Sequence, residues 1–536
     1  MKKILIKTAL IAAAALPASC DLDINKNPND ATAEVVTPDL VLPVAVAALV
    51  YDQVYYYGRS TAAYLVGYQV PGEGIGGYGD VYTYNFTSKS FTGVWTETFA
   101  CLRNFNTIIK TSEADPQYAL YGGIARVLKA YCYHLLADAY GDVPYTEGLR
   151  GESNLSPAFD KDAAVYRALF TELDDAIAIL KANKDKAGGN VLGLNANNDP
   201  VFGGDCLKWI QFANNIKLRL LVRSRGTSID VNNFVKSAFA GISEEGFLTE
   251  DVLANPGYNA SGQQNPYWTV YHSSVIGAIA YPALYYIASS YVLSFYDGTK
   301  LADAKRGALV YKGWPDVRHY QLGNQSGRPY TTGYTWYIGT GTGQNASDAA
   351  GILKSRSAPA PLFFAFETYF LLAEAALYDL DPAKAYTENA AKAYFENGIK
   401  ASFDFLERVG AANSLPAGAN PQGDAEAYIA ANSMSPLANF DLAATREQKL
   451  EAIITQKYIA SNILNSNEAW NEFRRTGYPA ISGTGSRTTF ASVQSSSPRA
   501  DKLPVRLIYP QSEYNLNVNT PKLANSFSNP IFWDRE

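Results

Sequence analysis

The chain has 536 residues, 47% of them hydrophobic and 18% charged, with 45 Lys and Arg against 51 Asp and Glu for a formal net charge of -6. No run of five or more basic residues exists, which excludes the clustered cationic face that nucleic-acid binding needs. Four cysteines in a chain of this size exclude a disulfide framework, and three scattered histidines leave no set at zinc-ligand spacing, so neither a metal nor a cofactor is expected.

In chain order, Lys2, Lys3 and Lys7 precede an apolar run from Thr8 to Leu16 that is too short to span a bilayer, and Pro17, Ala18 and Ser19 lead to Cys20. Residues 1–19 therefore read as a secretory leader. A cleavage site that stops at a cysteine resembles the lipobox of bacterial lipoproteins, with Pro17 standing where Leu or Val is usual. That resemblance implies acylation of Cys20; several chains, at roughly 0.8 kcal/mol per buried methylene, make a lasting anchor. Residues 20–45 read as a tether and 46–536 as a single domain, since no Pro/Ser linker divides it. No other segment reads as a membrane span. Asp21-x-Asp23-x-Asn25 begins like a calcium loop, but Lys26 replaces the required glycine and Thr32 the bidentate glutamate.

Helical periodicity follows. Leu120, Ile124, Val127, Leu128, Tyr131, Leu135 and Leu136 recur three and four apart from Tyr118 to Tyr140, and Gly141 and Pro144 end that helix. Asp160 is the expected N-cap of the next, whose core face is Val165, Leu169, Leu173, Ile177 and Leu180. Further helices are predicted at 205–225, 362–378, 383–407 and 446–465. Each has a partner nearby in sequence, so the expected fold is mostly α, built of tetratricopeptide-like hairpins, although a strict 34-residue period is absent. Ala373, Ala375, Ala376, Ala390, Ala391 and Ala393 suit close helix approach. Between about 247 and 360 the texture changes to Gly, Asn, Ser, Tyr and Trp, a loop-rich excursion of the kind that carries recognition.

Several motifs carry less chemistry than they suggest. Gly72 to Gly77 matches G-x-G-x-x-G without a surrounding βαβ unit, so it reads as a loop. No phosphate-binding loop or G-x-S-x-G elbow occurs. A glycosidase needs only two carboxylates about 5 to 9 Å apart, and 51 acids offer many pairs without singling one out. Cys101 and Cys132 fall in helical patterns and read as small buried hydrophobes. Arg474 and Arg475 read as structural partners of carboxylates or backbone carbonyls, and Trp470 and Phe473 as packing.

Six blocks, taken together in this order, resemble the SusD/RagB family of nutrient-binding outer-membrane lipoproteins, and in particular its SusD-like branch. They are CDLDINKNPN at Cys20, YCYHLLADAYGDVPYTEGL (Tyr131 to Leu149), DCLKWIQFANNIKLRLLVRS (Asp205 to Ser224), FFAFETYFLLAEAAL (Phe363 to Leu377), EAWNEFRRTGYP (Glu468 to Pro479) and LPVRLIYPQSEYNLN (Leu503 to Asn517). The resemblance implies four tetratricopeptide-like hairpins with a loop-rich ligand-binding half, surface export favoured by Asp21 and Asp23, and a SusC-like TonB-dependent transporter as partner. It also implies a ligand, most often an oligosaccharide and in a smaller group a peptide. No catalytic residue is implied. A surface glycan hydrolase and a ligand-free structural partner of the transporter are the competing classes.

The chain carries 38 Tyr, 24 Phe and 7 Trp. Rings in Gly/Ser/Asn-rich segments suit recognition, since a flat face stacks on sugar C–H groups while a hydroxyl or indole N–H adds a directed hydrogen bond. The bland alternative is that they fill small cores under long loops. The candidate ligand-binding residues are Tyr68, Tyr78, Tyr82 and Tyr84 before the first long helix pair, and Tyr267, Trp268, Tyr271, Tyr334, Trp336 and Tyr337 in the excursion, with Cys20 the lipidation site.

Overall fold

The computed structural model describes residues 36–72, 74–324, 335–336, 350–384 and 387–535. Helix α1 (Pro38–Leu65) starts on Pro38, earlier than the expected boundary at 46, because the missing N–H of proline costs nothing in a first turn. Its hydrogen bonding widens to a π-helix over Asp52–Ala62. By length and composition alone α1 is apolar enough to cross a membrane, which sequence reading did not anticipate, yet its Leu42, Val46, Leu49 and Val50 are fully buried in the core.

α2 (Thr92–Ala114), α3 (Ala119–Tyr140), α4 (Asp162–Asn183) and α5 (Cys206–Ser224) pack each against the next, with α1 laid on α2. α6 (Ala365–Leu377) and α7 (Glu388–Glu407) form another hairpin, extended by α8 (Pro421–Ala431), α9 (Arg446–Ala460) and α10 (Ser466–Thr476). The fold is mostly α, and its hairpins follow a tetratricopeptide-like arrangement.

Local chemistry sets the helix ends. Asp205 accepts from the N–H groups of Leu207 (3.0 Å) and Lys208 (3.2 Å) to open α5, and Thr445 with Gln448 forms a capping box at α9. Thr387 caps α7, so that helix begins at Glu388 and not at 383; α9 stops at Ala460, short of 465. Asp160 does not cap α4. Its carboxylate accepts from Tyr145 N (2.9 Å), Thr146 N (2.8 Å) and Thr146 Oγ1 (2.7 Å), while Lys161 is the cap residue and Asp142 accepts from Asp162 N at 3.1 Å. The turn after α3 thus competes successfully for the Asp160 carboxylate. Ala373, Ala375 and Ala391 are buried as expected where helices approach, whereas Ala393 is exposed. On α7, Gly398 lies under the Phe370 ring, where even a Cβ would sit 2.6 Å from it.

Strands β1 (Val70–Pro71), β2 (Val252–Ala254), β3 (Tyr286–Ser289), β4 (His319–Tyr320) and β5 (Ala360–Phe363) form two small sheets. The excursion leaves and returns through the antiparallel β2–β5 pair, with Val252 opposite Phe363 and Ala254 opposite Ala360. Inside it, β3 pairs antiparallel with β1 and parallel with β4. The rest of the excursion holds short helical turns, including Pro266–Tyr271 and Tyr281–Tyr285.

Behind these layers a buried ionic network joins the hairpins. Arg219 Nε meets Glu367 Oε1 at 2.8 Å, Lys457 Nζ meets Glu472 Oε1 at 2.9 Å, and Arg475 grips Glu374 through two 2.6 Å hydrogen bonds. Arg223 bridges Asp138 and Glu468, and Arg474 donates to the carbonyls of Val505 (2.6 Å) and Asp138 (2.7 Å). Arg474 and Arg475 are therefore structural, and Trp470 and Phe473 are buried beside them. Such a network contributes mainly by leaving no buried charge unpaired, since desolvation cancels much of the attraction. Cys101, Cys132 and Cys206 are buried free thiols.

Candidate functional site

Three segments that lie far apart in sequence meet on one face. The π-helical part of α1 supplies Tyr55, Tyr56 and Arg59, the loop after β1 and the short helix Gly79–Thr83 supply Tyr78 and Tyr82, and the excursion supplies Tyr281, Tyr285 and Tyr286. The β1–β3 pairing brings them together: Pro71 lies opposite Tyr286, and Gly72 N donates to the Tyr285 carbonyl at 2.7 Å. The hydroxyls of Tyr78 and Tyr286 share a 2.6 Å hydrogen bond, and Arg59 Nη2 donates to that of Tyr286 at 3.1 Å.

The rings form a connected wall. Tyr51 stacks on Tyr55 at 5.4 Å, Tyr55 meets Tyr56 edge-on at 4.8 Å, and the Arg59 guanidinium lies 5.1 Å from the Tyr55 centroid and 5.3 Å from that of Tyr286. Tyr286 contacts Tyr64 at 5.6 Å, Tyr78 at 6.0 Å and Tyr281 at 5.7 Å, and Tyr281 contacts Tyr285 at 4.2 Å. Tyr64 and Tyr286 are buried and hold the wall from behind, while Tyr281 is 42% exposed and Tyr78, Tyr82 and Tyr285 are half-buried. Burial pushes the Tyr82 phenol up to about 12 and raises that of Tyr78, so both hydroxyls stay protonated at neutral pH and can donate. Just before Tyr281 a tight hairpin, closed by Ala280 N to the His272 carbonyl at 2.8 Å, presents Val275, Ile276 and Ile279 to solvent; Ile276 is 91% exposed.

Of the residues expected from sequence, Tyr78 and Tyr82 lie on this face. Six others are enclosed and offer no surface to a ligand. Tyr68, in the turn after α1, and Tyr458, on α9, exchange hydrogen bonds with each other's backbone: Tyr68 Oη donates to Tyr458 O at 2.5 Å, and Tyr458 Oη to Val66 O at 2.7 Å. Tyr84 lies under the C-terminal segment and accepts from Ser492 N at 3.1 Å. Tyr267, Trp268 and Tyr271 sit on a helical turn capped by Asn265, which aims them inward: Tyr267 Oη donates to Leu464 O at 2.5 Å, and Trp268 stacks on His272 at 4.2 Å. Trp336 has no exposure and packs on Tyr271 and Tyr311. Tyr334, Tyr337 and Cys20 lie outside the described residues.

Sequence reading passed over Tyr51, Tyr55, Tyr56, Arg59, Tyr281, Tyr285 and Tyr286. The signal was available in the tyrosine-dense strings YDQVYYYGR and YPALYY, but its meaning depended on strand pairing. The Gly72–Gly77 loop, with Gly74 and Gly77 at positive φ and open space around both, carries the chain from β1 toward Tyr78 and precedes no long helix.

Chemistry of another kind is closed off elsewhere. Among the described residues, His134, Asp138 and Glu468 lie close enough together to hold a metal ion, yet the Arg223 guanidinium fills that position, with Nη1 on His134 Nε2 at 2.6 Å and Nη2 on Glu468. Burial lowers the His134 imidazole, whose Nε2 also lies 2.9 Å from Asp138 Oδ2.

A stack of helix hairpins presenting an irregular, tyrosine-rich face defines a helical scaffold that carries its candidate binding surface on the loops. The model of the SusD-like family, described as SusD and RagB outer membrane lipoproteins, matches residues 23–529, and the chain belongs to that family. Comparison with curated proteins found no match. Among solved structures, a SusD homolog from Bacteroides uniformis is similar at 21% identity and a TM-score of 0.65, covering 92% of this chain and 99% of its own. A chitin-binding SusD homolog from Flavobacterium johnsoniae is similar at 20% identity and a TM-score of 0.65, covering 92% and 98%. A SusD homolog from Bacteroides fragilis is 21% identical, with a TM-score of 0.62 and 90% and 95% covered. At these identities the likeness establishes the shared fold.

Proposed function

We propose that this chain is a surface-exposed lipoprotein, anchored through Cys20, that binds a polymeric nutrient on the tyrosine face and passes it to a SusC-like TonB-dependent transporter without chemistry of its own. The observation that carries the reading is the convergence of Tyr78, Tyr82, Tyr281 and Tyr285, all partly exposed, on a sheet-backed wall. An oligosaccharide is the favoured ligand, because flat rings match the C–H faces of sugars while hydroxyls reach their polar rims. Family membership supports the outer-membrane setting, and a related fold binds chitin in the Flavobacterium protein. A peptide ligand is the second reading, favoured by the apolar hairpin tip at Ile276 beside the wall.

Calorimetry of the leaderless protein against a glycan panel and peptide digests tests the proposal. Saturable glycan binding that Tyr82→Ala or Tyr281→Ala weakens supports it. Binding that neither substitution touches places the site elsewhere, and cleavage of the ligand, lost on replacing a carboxylate, overturns the non-enzymatic reading.

A further inference from the structure

Arg59 stands at the centre of the tyrosine face, with no carboxylate among the described residues paired to it. Its Nη2 donates to Tyr286 Oη at 3.1 Å, its Nε is enclosed with no acceptor, and no acid among the described residues forms an ion pair with it. Among the other enclosed arginines, Arg219, Arg223, Arg306 and Arg475 contact carboxylates, while Arg474 and Arg506 donate to backbone carbonyls, an acceptor that no described residue gives the Arg59 guanidinium. Stacking between Tyr55 and Tyr286 offsets part of the cost of desolvating a cation, as cation–π contacts do. It does not supply a counter-charge, and burial keeps the adjacent Tyr64 and Tyr78 phenols protonated, so neither provides one. Gln69 Nε2, donating to the Arg59 carbonyl at 2.7 Å, fixes the backbone that carries it. Among the described residues the arrangement is a positioned guanidinium with no paired carboxylate, set in a wall of rings.

We propose that the tyrosine face takes an acidic oligosaccharide and that Arg59 pairs with a sugar carboxylate. This rests on the reading of that face as the glycan site and names its ligand class. A uronate or sialate holds its carboxylate rigidly on the sugar ring, so one residue can stack on a tyrosine and reach the neighbouring guanidinium together. Acidic peptides carry the charge on a flexible stem, away from any flat face. Arginine is the residue suited to the task, because its planar fork matches a carboxylate through two parallel N–H donors.

The test is an array of uronate-bearing, sialate-bearing and neutral oligosaccharides with an oligoglutamate peptide, followed by calorimetry on the best acidic glycan and its methyl ester. Wild type is expected to favour the free acid over the ester by at least about tenfold, the scale of a charge-assisted hydrogen bond. Arg59→Met is expected to bring acid and ester within about twofold of each other, and Arg59→Lys should keep part of the preference. Equal or tighter binding of neutral glycans, or an acid preference that survives in Arg59→Met, overturns the inference while leaving the glycan site standing. Preference for oligoglutamate overturns the choice of sugar. Failure of every glycan to bind overturns both this inference and the reading beneath it.

Discussion

Tyrosine does two unlike jobs in this chain, and substitution separates them. Tyr82 and Tyr281 present partly free rings, so Tyr82→Ala and Tyr281→Ala are each expected to weaken glycan binding about 3- to 10-fold, in line with a stacking contribution of about 0.5–1.5 kcal/mol, with little loss of melting temperature. Tyr68 is enclosed and its hydroxyl serves the Tyr458 carbonyl; Tyr68→Phe should lower stability by about 1 kcal/mol in denaturant titrations and leave binding unchanged. The buried acids set a pH response. Despite burial, which acts upward, Arg219, Arg223 and Lys457 hold Glu468 at about 2, and Arg475, Lys457 and Arg223 do the same for Glu472. A carboxylate lowered in the folded state stabilises above its ordinary pKa of about 4.3 and loses that contribution as pH falls toward the folded value. Melting temperature should therefore drop steeply between about pH 4.5 and pH 2. Burial raises Asp52 and Glu367, whose contributions run the other way and are lost as pH rises above the ordinary carboxylate range, so they act above this window.

Among the helices, the tightest constraint lies between α6 and α7. Alanine at Gly398 would gain helix propensity, about 1 kcal/mol, but its Cβ would stand 2.6 Å from the Phe370 ring, and overpacking a core costs about 1–3 kcal/mol. Gly398→Ala is therefore expected to lower the melting temperature, a sign opposite to the propensity scale. At the start of α9, Thr445→Ala removes half of a capping box and should cost about 1 kcal/mol in denaturant unfolding. Helices like these were legible from periodicity: the 118–140 pattern became α3 at Ala119–Tyr140, and 205–225 became α5 at Cys206–Ser224. Their ends were less so. Asp160 looked like a cap in sequence because cap preference is local, and it was diverted by a turn some fifteen residues upstream, at Tyr145 and Thr146.

Over the whole molecule, the proposed mechanism joins a fixed anchor to a folded scaffold. Cys20→Ala should release the protein from the membrane fraction, and an unlipidated amino terminus in mass spectrometry of the native protein would remove the tether on which delivery to a transporter depends. Wild type is expected to co-purify with an outer-membrane barrel protein from detergent extracts. By itself the sequence determined the helical scaffold and its family, because a 3.6-residue period and an ordered set of motifs are written along the chain. It also raised the expectation of recognition in the segment before α2 and in the excursion. Which rings face outward was decided only by tertiary structure. The Asn265-capped turn aims Tyr267, Trp268 and Tyr271 into the core, while the β1–β3 pairing sets Tyr78 and Tyr82 beside Tyr281 and Tyr286, with Arg59 among them. A tyrosine is equally at home in a core and on a binding face, so its composition is silent on the choice, and non-local pairing of strands settles it.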